Sequence, residues 1–444
     1  MKRLASLILL ALALTVGACS DPVFVEDDPT AVGSEIAPPL QKLRHAHLLT
    51  TPSVGVGKNP ANPRLLIGFS ETLLDPYGFL ERYGFLERYD GTQRVIYGVG
   101  VEVILDDVGD DGDEDDEDDE GDENDALEEI LEILELDDDV VWIEPDIVLG
   151  ALPLMAFEPG EQVQITPWGI EHVGGVDHHL NATDLAGVDL YILDSAIRTE
   201  DLNVVELLDF TGSGNPGVHG FHVAGTAAAF DDTTGVLGVA PGVRVHSFGV
   251  LDATGKAELS TVITALQEVR TRKLLNPDAA VVVNLSLGAD IGTTAYNALD
   301  EAVEETVAAG VVVVVSAGND GINTATVTPA HAAGAITVGA YDADETFASF
   351  SNYGPVIDIL APGVDVLSLG FDLTGQPGLA VSSGTSMAAP HVAGAAVLYL
   401  VTYPDATPGQ VRDALVQEAR TRITGTPAGT TNRALWVGFL DDDG

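Results

Sequence analysis

The feature that most constrains the fold is a series of short apolar runs separated by longer amphipathic segments, between Thr166 and Leu440. The runs are rich in β-branched residues, which favour strands, and the segments between them have the length of helices. Strands without a polar face are typical of a parallel sheet covered by helices on both sides. We therefore predict an α/β domain with a doubly wound, mostly parallel sheet. The predicted strands are 188–194, 243–251, 280–288, 311–319 and 335–341.

Polar residues with catalytic chemistry stand where such strands end. Asp194 closes the first predicted strand, Asn319 closes a run of valines, and a glycine turn leads through Ser386 into a long apolar helix. In open α/β sheets, active sites gather outside the carboxyl ends of the strands. A serine hydroxyl becomes a good nucleophile when a base takes its proton and a carboxylate orients that base. Asp194, His219 and Ser386 supply these three groups.

Each of these residues also has a plainer interpretation. His219 and His222 stand three apart in GVHGFHVAGT, a spacing that places them on one face of a helix. Alone, the pair is compatible with two structural histidines or with two zinc ligands, although a zinc site needs a third ligand and usually a nearby glutamate. Asn319 alone is more often a turn residue, and Asp194 alone could cap a helix.

The motifs LDSAI, HGFHVAGT, VVNLSLG, SAGND and GTSMAAPHVAG, in this order, resemble the motif set of the subtilisin-like serine proteases, the subtilases. They cover nearly all of the region 166–440, and the last motif is very specific. The resemblance implies a serine endopeptidase that works through an acyl-enzyme, with the triad Asp194, His219 and Ser386 and with Asn319 as oxyanion donor. It also implies protein or peptide substrates, no cofactor for catalysis, and an inward-facing His222.

The resemblance further indicates where substrate binds. Ser286, Leu287 and Gly288 align with the strand that pairs with the substrate backbone and borders the first specificity pocket, a form of β-augmentation. Gly255, in DATGKAE, is expected at the opposite edge. Small, uncharged pocket residues favour an apolar or aromatic side chain before the scissile bond, and Lys256 favours acidic residues in the outer subsites.

Two positions depart from the family pattern. Ala196 stands two residues after Asp194, where the pattern usually has glycine, and an alanine forced into a glycine-only φ would strain the turn. Phe221 replaces the threonine of HGTH with a large ring. We therefore expect Ala196→Gly to raise kcat and Phe221→Thr to change stability more than rate. The competing function is a weakly active or inactive subtilase fold kept as a binding protein, and a zinc-dependent enzyme is disfavoured because HExxH does not occur.

A smaller α+β domain is predicted at residues 63–150. Its elements follow the order βαββαβ of a ferredoxin-like unit, with helices at Leu73–Tyr89 and Ala126–Leu136. Its last strand, VVWIEPDIVL, resembles the end of the inhibitory propeptide of subtilases, and TPWGIEHVG resembles the start of a mature enzyme. The resemblance implies that the protease is inhibited by this propeptide and removes it by a cut between Ile147 and Gln164, with residues 151–165 as the linker.

Charge is concentrated in an insertion at residues 106–125, where fifteen of the twenty residues are acidic. Like charges at that density repel one another and keep the backbone solvated, so we predict a disordered insertion. The whole chain has 70 acidic and 19 basic residues, a formal charge of −51, which argues against nucleic acid or an anionic membrane surface as a partner. Structural Ca²⁺ is compatible with this composition, with no ligand assigned.

The N-terminus MKRLASLILLALALTVGACS has a basic start, a short apolar run and small residues before Cys19, the only cysteine. The run is too short for a mature membrane span, so residues 1–19 are predicted to be an export signal. VGAC resembles a lipobox with the lipid on Cys19, the alternative being an ordinary signal peptide. Residues 20–62 are predicted to be a tether. The protein is therefore expected outside the cytoplasm, as a bacterial envelope lipoprotein, as a secreted enzyme after self-processing, or as both in turn.

Overall fold

The computed structural model describes residues 64–69, 94–96, 100–104, 131, 134, 140–145, 148–150, 155–157, 164–176, 183–212, 216–252, 254–372 and 375–441. The chain divides into two compact units, the first within residues 1–146 apart from 96–98, and the second formed by 96–98 and everything from 147 onward. Several predicted features lie outside the described residues: the export signal, Cys19, the tether 20–62, the helix 73–89 and the acidic insertion 106–125.

The first unit contains one sheet of four strands: β1 Arg64–Phe69, β2 Arg94–Ile96, β3 Gly100–Ile104 and β4 Val140–Pro145. The strand order is β2-β3-β1-β4, and β1 runs antiparallel to both β3 and β4. Ile67 and Ile143 are fully buried. In the helix predicted at 126–136, the two described residues, Leu131 and Leu134, are helical and buried. This arrangement agrees with the ferredoxin-like unit expected from the sequence.

The second unit has six helices of six residues or more within its described part, and a larger set of strands. The helices are α1 Trp168–Val173, α2 Val218–Ala228, α3 Leu259–Leu275, α4 Ala298–Ala308, α5 Thr385–Thr402 and α6 Pro408–Glu418. The strands are β5 Val148–Gly150, β6 Met155–Phe157, β7 Val188–Asp194, β8 Val204–Asp209, β9 Arg244–Gly249, β10 Lys256–Glu258, β11 Ala280–Leu285, β12 Ala289–Asp290, β13 Val312–Ser316, β14 Val327–Thr328, β15 Ile336–Tyr341, β16 Ile359–Pro362, β17 Val366–Phe371, β18 Pro377–Ser382, β19 Arg420–Thr421 and β20 Arg433–Ala434.

Nine of these strands form one sheet, in the order β19-β20-β16-β15-β13-β11-β7-β9-β8. Every neighbouring pair in it is parallel except β19 and β20. The central strands are buried along their whole length because both faces of the sheet are covered, and this is why their sequences are continuous apolar runs. The predicted α/β fold with a mostly parallel sheet is confirmed.

The core of the unit forms around α5, which packs against α2 and the central strands of the sheet. The helix is rich in alanine and glycine, so neighbouring backbones approach it closely; a Cβ on Gly394 would lie 2.6 Å from Val239 Cβ. Within the described part of the chain, α5 alone is long and apolar enough to cross a membrane, but 83% of it is buried inside the protein. It is therefore placed as the core helix of the domain.

Three small sheets lie beside the large one. β5 pairs antiparallel with β10, and β12 pairs antiparallel with β14. The hairpin of β17 and β18 takes β6 as a third antiparallel strand. The short strand β5, which the sequence placed at the end of the smaller domain, thus belongs to the second unit.

Candidate active site

Asp194 and His219 form a buried pair. Asp194 is the last residue of β7 and is fully buried, and His219 lies in the first turn of α2. His219 Nδ1 lies 2.8 Å from Asp194 Oδ1 and 2.9 Å from Oδ2. A carboxylate only accepts hydrogen bonds, so Nδ1 carries the proton and Nε2 is left as a base. His219 Nε2 is buried and has no hydrogen-bond partner among the described residues.

Glycine and serine bring α2 close enough to β7 for this contact. A Cβ on Gly220 would lie 2.2 Å from the Ser195 carbonyl oxygen, so no side chain fits there. Ser195 Oγ accepts a hydrogen bond from Gly220 N at 2.8 Å. The N–H of Ser195 donates to Asp194 Oδ1 at 2.7 Å and fixes the carboxylate. The first turn of α2 is thereby held against the end of β7.

Ser386 lies in the first turn of α5, directly above the end of β11. Its hydroxyl donates to the carbonyl oxygen of Ser286 at 3.2 Å. Ser286 Oγ in turn donates to the Ser386 carbonyl at 2.9 Å, and accepts from Asn284 Nδ2 at 2.9 Å. The backbone of Ser386 is therefore tied to β11, and its hydroxyl has to leave the bond to Ser286 before a base can take its proton. Catalytic hydrogen bonds are often made only when substrate is bound.

Asn319 follows β13 and faces the start of α5. Its Oδ1 accepts the N–H of Thr385 at 2.7 Å and the hydroxyl of Thr385 at 3.0 Å. Thr385 Oγ1 is itself fixed by the N–H of Gly318 at 3.1 Å. With the amide oxygen held twice, the amide NH₂ points away from Thr385 and can donate to a ligand. The N-terminus of α5 adds partial positive charge at this place.

Comparison with known proteins agrees with this geometry. The sequence profile of the subtilase family matches residues 198–436, which include His219, Asn319 and Ser386. Subtilisin DY of Bacillus licheniformis is 39% identical over 269 residues, which span 58% of this chain and 92% of that protein. The chain belongs to the subtilase family. It is a serine endopeptidase whose catalytic residues are Asp194, His219 and Ser386.

Further relatives give the same picture. The extracellular serine proteinase of Thermus sp. (strain Rt41A) is 41% identical over 249 residues, 54% of this chain and 56% of that protein. Among solved structures, a cold-adapted subtilisin-like serine proteinase superposes with a TM-score of 0.52 at 30% identity, covering 61% of this chain and 97% of that one.

The second histidine of this subtilase is structural. His222 is fully buried, and its Nε2 lies 2.9 Å from the Val366 carbonyl oxygen. Burial lowers the pKa of His222 to about 3, so the ring is neutral. Within the part of the chain that the structure describes, no group of three His, Cys, Asp or Glu side chains is placed to hold a metal ion.

The expected strain at Ala196 is wrong. Among the described residues, the only non-glycine residues with positive φ are Asp201, Glu345 and Asp365, so Ala196 does not occupy a glycine-only conformation. It instead forms a bridge with Pro216, and its carbonyl accepts the N–H of Gly217 at 2.7 Å. The methyl group of Ala196 is accommodated, and the turn presents Asp194 without strain.

The second departure, Phe221, is absorbed by packing. The ring is 1% exposed and stacks on Phe371 of β17, with ring centroids 5.7 Å apart and an interplanar angle of 28°. A benzyl side chain thus joins α2 to the β17–β18 hairpin. Phe221 contributes to stability and leaves the Asp194–His219 pair intact.

We therefore expect Ala196→Gly to leave kcat unchanged and to lower the free energy of unfolding by about 0.5–1 kcal/mol, through added freedom of the unfolded chain. Phe221→Thr should lower it by about 3 kcal/mol, because the ring leaves a cavity. Denaturant unfolding in a Ser386→Ala background, which prevents autolysis, measures both, and kcat is measured in the active enzyme. A large gain of kcat in either variant would contradict this account.

The residues predicted to bind substrate lie in two segments, Ser286–Gly288 after β11 and Gly255 before β10. Ser286 and Leu287 are buried, and Ser286 contacts Ser386 directly. Gly288 packs against β14, since a Cβ there would lie 2.7 Å from the Thr328 carbonyl oxygen. Gly255 has a φ of +75° in the turn before β10, where glycine is favoured.

Two positioning residues were not assigned from the sequence. Thr385, which orients Asn319, stands inside the quoted motif GTSMAAPHVAG immediately before the nucleophile, so its position was a usable signal. Asn284 acts on Ser386 only through Ser286, across 100 residues of sequence. No local pattern reveals such a link.

Proposed function

We propose that this endopeptidase is made as a precursor that cleaves itself, and that Asn319 is the side-chain donor for the oxyanion. In the acylation step, His219 Nε2 takes the proton of Ser386 as Oγ attacks the carbonyl carbon, and the imidazolium then protonates the leaving amine. Asp194 stabilises the imidazolium. The amide of Asn319 and the N–H of Ser386 receive the negative charge on the carbonyl oxygen. Water repeats the steps to release the acid.

The observation that carries the self-processing proposal is the pairing of β5 with β10. Val148, Leu149 and Gly150 lie opposite Glu258, Ala257 and Lys256, antiparallel, as a substrate backbone would in β-augmentation. Leu149 is fully buried. The last residues of the predicted propeptide domain therefore lie on the edge at which substrate was expected from the sequence. This supports an internal inhibitor that is also the first substrate.

Substrate specificity is proposed to come from the two segments on either side of the bound peptide. Ser286, Leu287 and Gly288 are the proposed backbone contacts on one side, and Gly255 lies in the turn that begins the other. The burial of Leu149 opposite Ala257 supports a preference for apolar side chains in the outer subsites. This disagrees with the expectation that Lys256 selects acidic residues, and a library of peptides that varies this position separates the two.

The enzyme is proposed to act outside the cytoplasm. The export signal predicted at residues 1–19 supports this, as does the similarity to a proteinase of Thermus that is named extracellular. A lipid on Cys19 would anchor the propeptide side of the precursor. Cleavage after residue 147 would then release the catalytic domain, and intact-mass analysis of membrane and soluble fractions would report lipid and cleavage together.

The direct test of the proposed function is labelling by a serine-directed phosphonyl or sulfonyl reagent. A triad in working order attacks the reagent at Ser386, so one adduct on the peptide that contains Ser386 is expected, with matching loss of peptidase activity. Protein that is folded but unlabelled and inactive would instead support the inactive binding protein considered from the sequence.

We also propose a structural Ca²⁺ site at Asp201. One of its oxygens, Oδ1, is buried without a hydrogen-bond partner among the described residues. Burial raises the pKa of Asp201 to about 7. The negative charge of the nearby Asp232 acts in the same direction, and the hydrogen bond from the Val236 N–H acts against it. A buried carboxylate oxygen without a hydrogen-bond partner fits a hard cation, which would supply the missing contact and would also be held by backbone carbonyls.

The pKa of Asp201 gives this site a pH signature. The pKa of Asp201 in the folded protein lies above its usual value of 3.8, so protonation of this carboxyl group favours folding. This contribution to stability is lost as the pH rises toward 7. Ca²⁺ should therefore raise Tm at pH 8 by roughly 5–10 °C at a hundredfold excess over Kd, and much less at pH 5. Thermal unfolding of the Ser386→Ala protein measures this. Asp201→Asn should remove the response and the exposed control Asp405→Asn should keep it; an equal response in both would refute the site.

A further inference from the structure

The proposed substrate strand rests on a neighbouring segment of the chain. β12 begins directly after Gly288 and pairs antiparallel with β14, with Ala289 opposite Thr328. The Thr328 carbonyl oxygen lies so close to Gly288 that a Cβ there would approach to 2.7 Å. Displacement of β14 would therefore displace the backbone at Gly288. What fixes β14 also fixes this edge of the substrate site.

β14 is fixed by a buried ion pair. Asp300, in the first turn of α4, is fully buried and accepts the hydroxyl of Thr328 at 2.8 Å. Its other oxygen lies 2.7 Å from His331 Nε2 and accepts the N–H of Asn297 at 2.9 Å. The side chains of His331 and Asp300 are 3% and 0% exposed. The pair thus joins α4 to both ends of the short segment 328–331.

Both nitrogens of His331 face acceptors. Nε2 faces the carboxylate of Asp300, and Nδ1 lies 2.9 Å from the carbonyl oxygen of Ala325. Neither acceptor can donate a proton, so only the doubly protonated imidazolium makes both hydrogen bonds. Loss of one proton leaves a ring nitrogen against an oxygen lone pair in a buried place, which is costly. Both hydrogen bonds that the His331 ring can make in the segment 325–331 and to Asp300 are therefore present only when the ring is charged.

Few other charged groups act on this ring. Tyr296 stacks on it with ring centroids 5.3 Å apart, and burial raises the pKa of Tyr296 above its usual 10, so the phenol is neutral near neutral pH. Glu304 and Arg412 lie beyond it: Glu304 contacts the Tyr296 hydroxyl at 3.4 Å, and Arg412 donates to the Ala333 carbonyl at 2.7 Å. Asp300 is thus the charge that faces His331 directly.

We propose that His331 is a positioning residue for substrate binding: as an imidazolium paired with Asp300 it holds β14 beneath Gly288, and its deprotonation weakens substrate binding without touching the triad. This rests on the proposed role of Ser286–Gly288 as the strand that pairs with substrate. The expected signature is a KM that rises with pH while kcat stays constant.

The direction of the pH effect follows from the pair. Burial acts against the charge, but the hydrogen bond and the charge of Asp300 outweigh it and raise the pKa of His331 above its usual 6.5. The positioning is then fully present below pH 6.5 and is lost as pH rises through the raised pKa. His219 acts in the chemical step and therefore on kcat, so the kinetic constant that changes separates the two histidines.

The test is kcat and KM for one chromogenic peptide between pH 5 and 10. We expect KM to rise about tenfold across the raised pKa, the change that corresponds to 1.4 kcal/mol of lost binding. Asp300→Asn should move the rise to lower pH, because it removes the charge that raises the pKa. His331→Arg, which stays charged at every pH of the assay, should abolish the rise.

A second measurement keeps the result unambiguous. In Ser386→Ala protein, the ring protons of His331 titrate in an NMR spectrum, and His331→Gln identifies the signal. A raised pKa that coincides with the KM rise supports the proposal. A titrating His331 with a flat KM, or a KM rise that persists in His331→Arg, overturns it and leaves the proposed function intact. A folded wild-type enzyme without activity or serine labelling would overturn the proposed function, and this inference with it.

Discussion

Replacing Ser386 by alanine is expected to abolish peptidase activity and leave the precursor uncut. Ser386 Oγ is the nucleophile of the triad. It is a hydroxyl at the N-terminus of α5, and hydrogen bonds through Ser286 and Asn284 hold it in place. Without it no acyl-enzyme forms. The expected loss in kcat is about 10⁶-fold, a magnitude taken over from subtilisin, the family's best-known member. Mass spectrometry of protein made in a protease-free system reports the state of the precursor.

The matched control is Ser383→Ala. Ser383 lies three residues before the nucleophile. Its hydroxyl accepts the N–H of Asp365 and donates to the carboxylate of the same residue. Like Ser386→Ala, Ser383→Ala removes one hydroxyl oxygen near the start of α5. This hydroxyl is not the nucleophile, so processing and kcat should stay close to wild type. A Ser386→Ala precursor that is cut in this system as efficiently as the wild-type chain would contradict self-processing through Ser386.

The sequence predicted the parts of the fold whose pattern is unambiguous. β7, β9, β11, β13 and β15 were all predicted, because a parallel strand buried on both faces is a continuous apolar run. β11 and β13 end three residues before their predicted limits. β8 was missed. It lies at the edge of the sheet, and its residues alternate between half-buried and exposed, so its pattern resembles an irregular surface segment.

The active site shows the same division. Asp194, His219 and Ser386 were predicted, and the structure holds the Asp194–His219 pair at 2.8 Å. The strain expected at Ala196 was wrong because the motif alone does not determine the backbone angle φ. Ala196 instead forms a bridge to Pro216, which is a tertiary contact. Contacts between segments that are distant in sequence lie outside what a one-dimensional pattern encodes.

Buried polar pairs are the clearest case. Nothing in the run TPAH at residues 328–331 marks His331 as a member of a buried pair, since its partner Asp300 lies 31 residues earlier, in α4. Likewise, no local pattern marks the Asp201 oxygen that is buried without a hydrogen-bond partner among the described residues. Such groups are expensive to bury unless satisfied, so each one that the fold retains is a candidate for a role in positioning or ion binding.

Asn319→Asp is expected to lower kcat about 10²- to 10³-fold with little change in KM, the magnitude known for removal of this kind of donor in subtilisin. Aspartate keeps an oxygen for the N–H and hydroxyl of Thr385, so the loop stays anchored as it is by the wild-type amide. The change replaces the NH₂ by an oxygen that repels the developing oxyanion. The ground-state carbonyl carries little charge, and for that reason binding should be affected far less than the transition state.

Asn323→Asp makes the same chemical change four residues away and separates this effect from a loss of structure. Asn323 Oδ1 accepts the N–H of Ala325 at 2.9 Å, a bond that aspartate also makes, and the side chain is exposed. Its kcat should stay within about twofold of wild type, since surface substitutions of this kind change free energies by about 0.5 kcal/mol or less. If Asn319→Asp raised KM and left kcat intact, Asn319 would bind substrate and transition state equally, and the oxyanion would have to be held by the backbone N–H of Ser386 and the N-terminus of α5 alone.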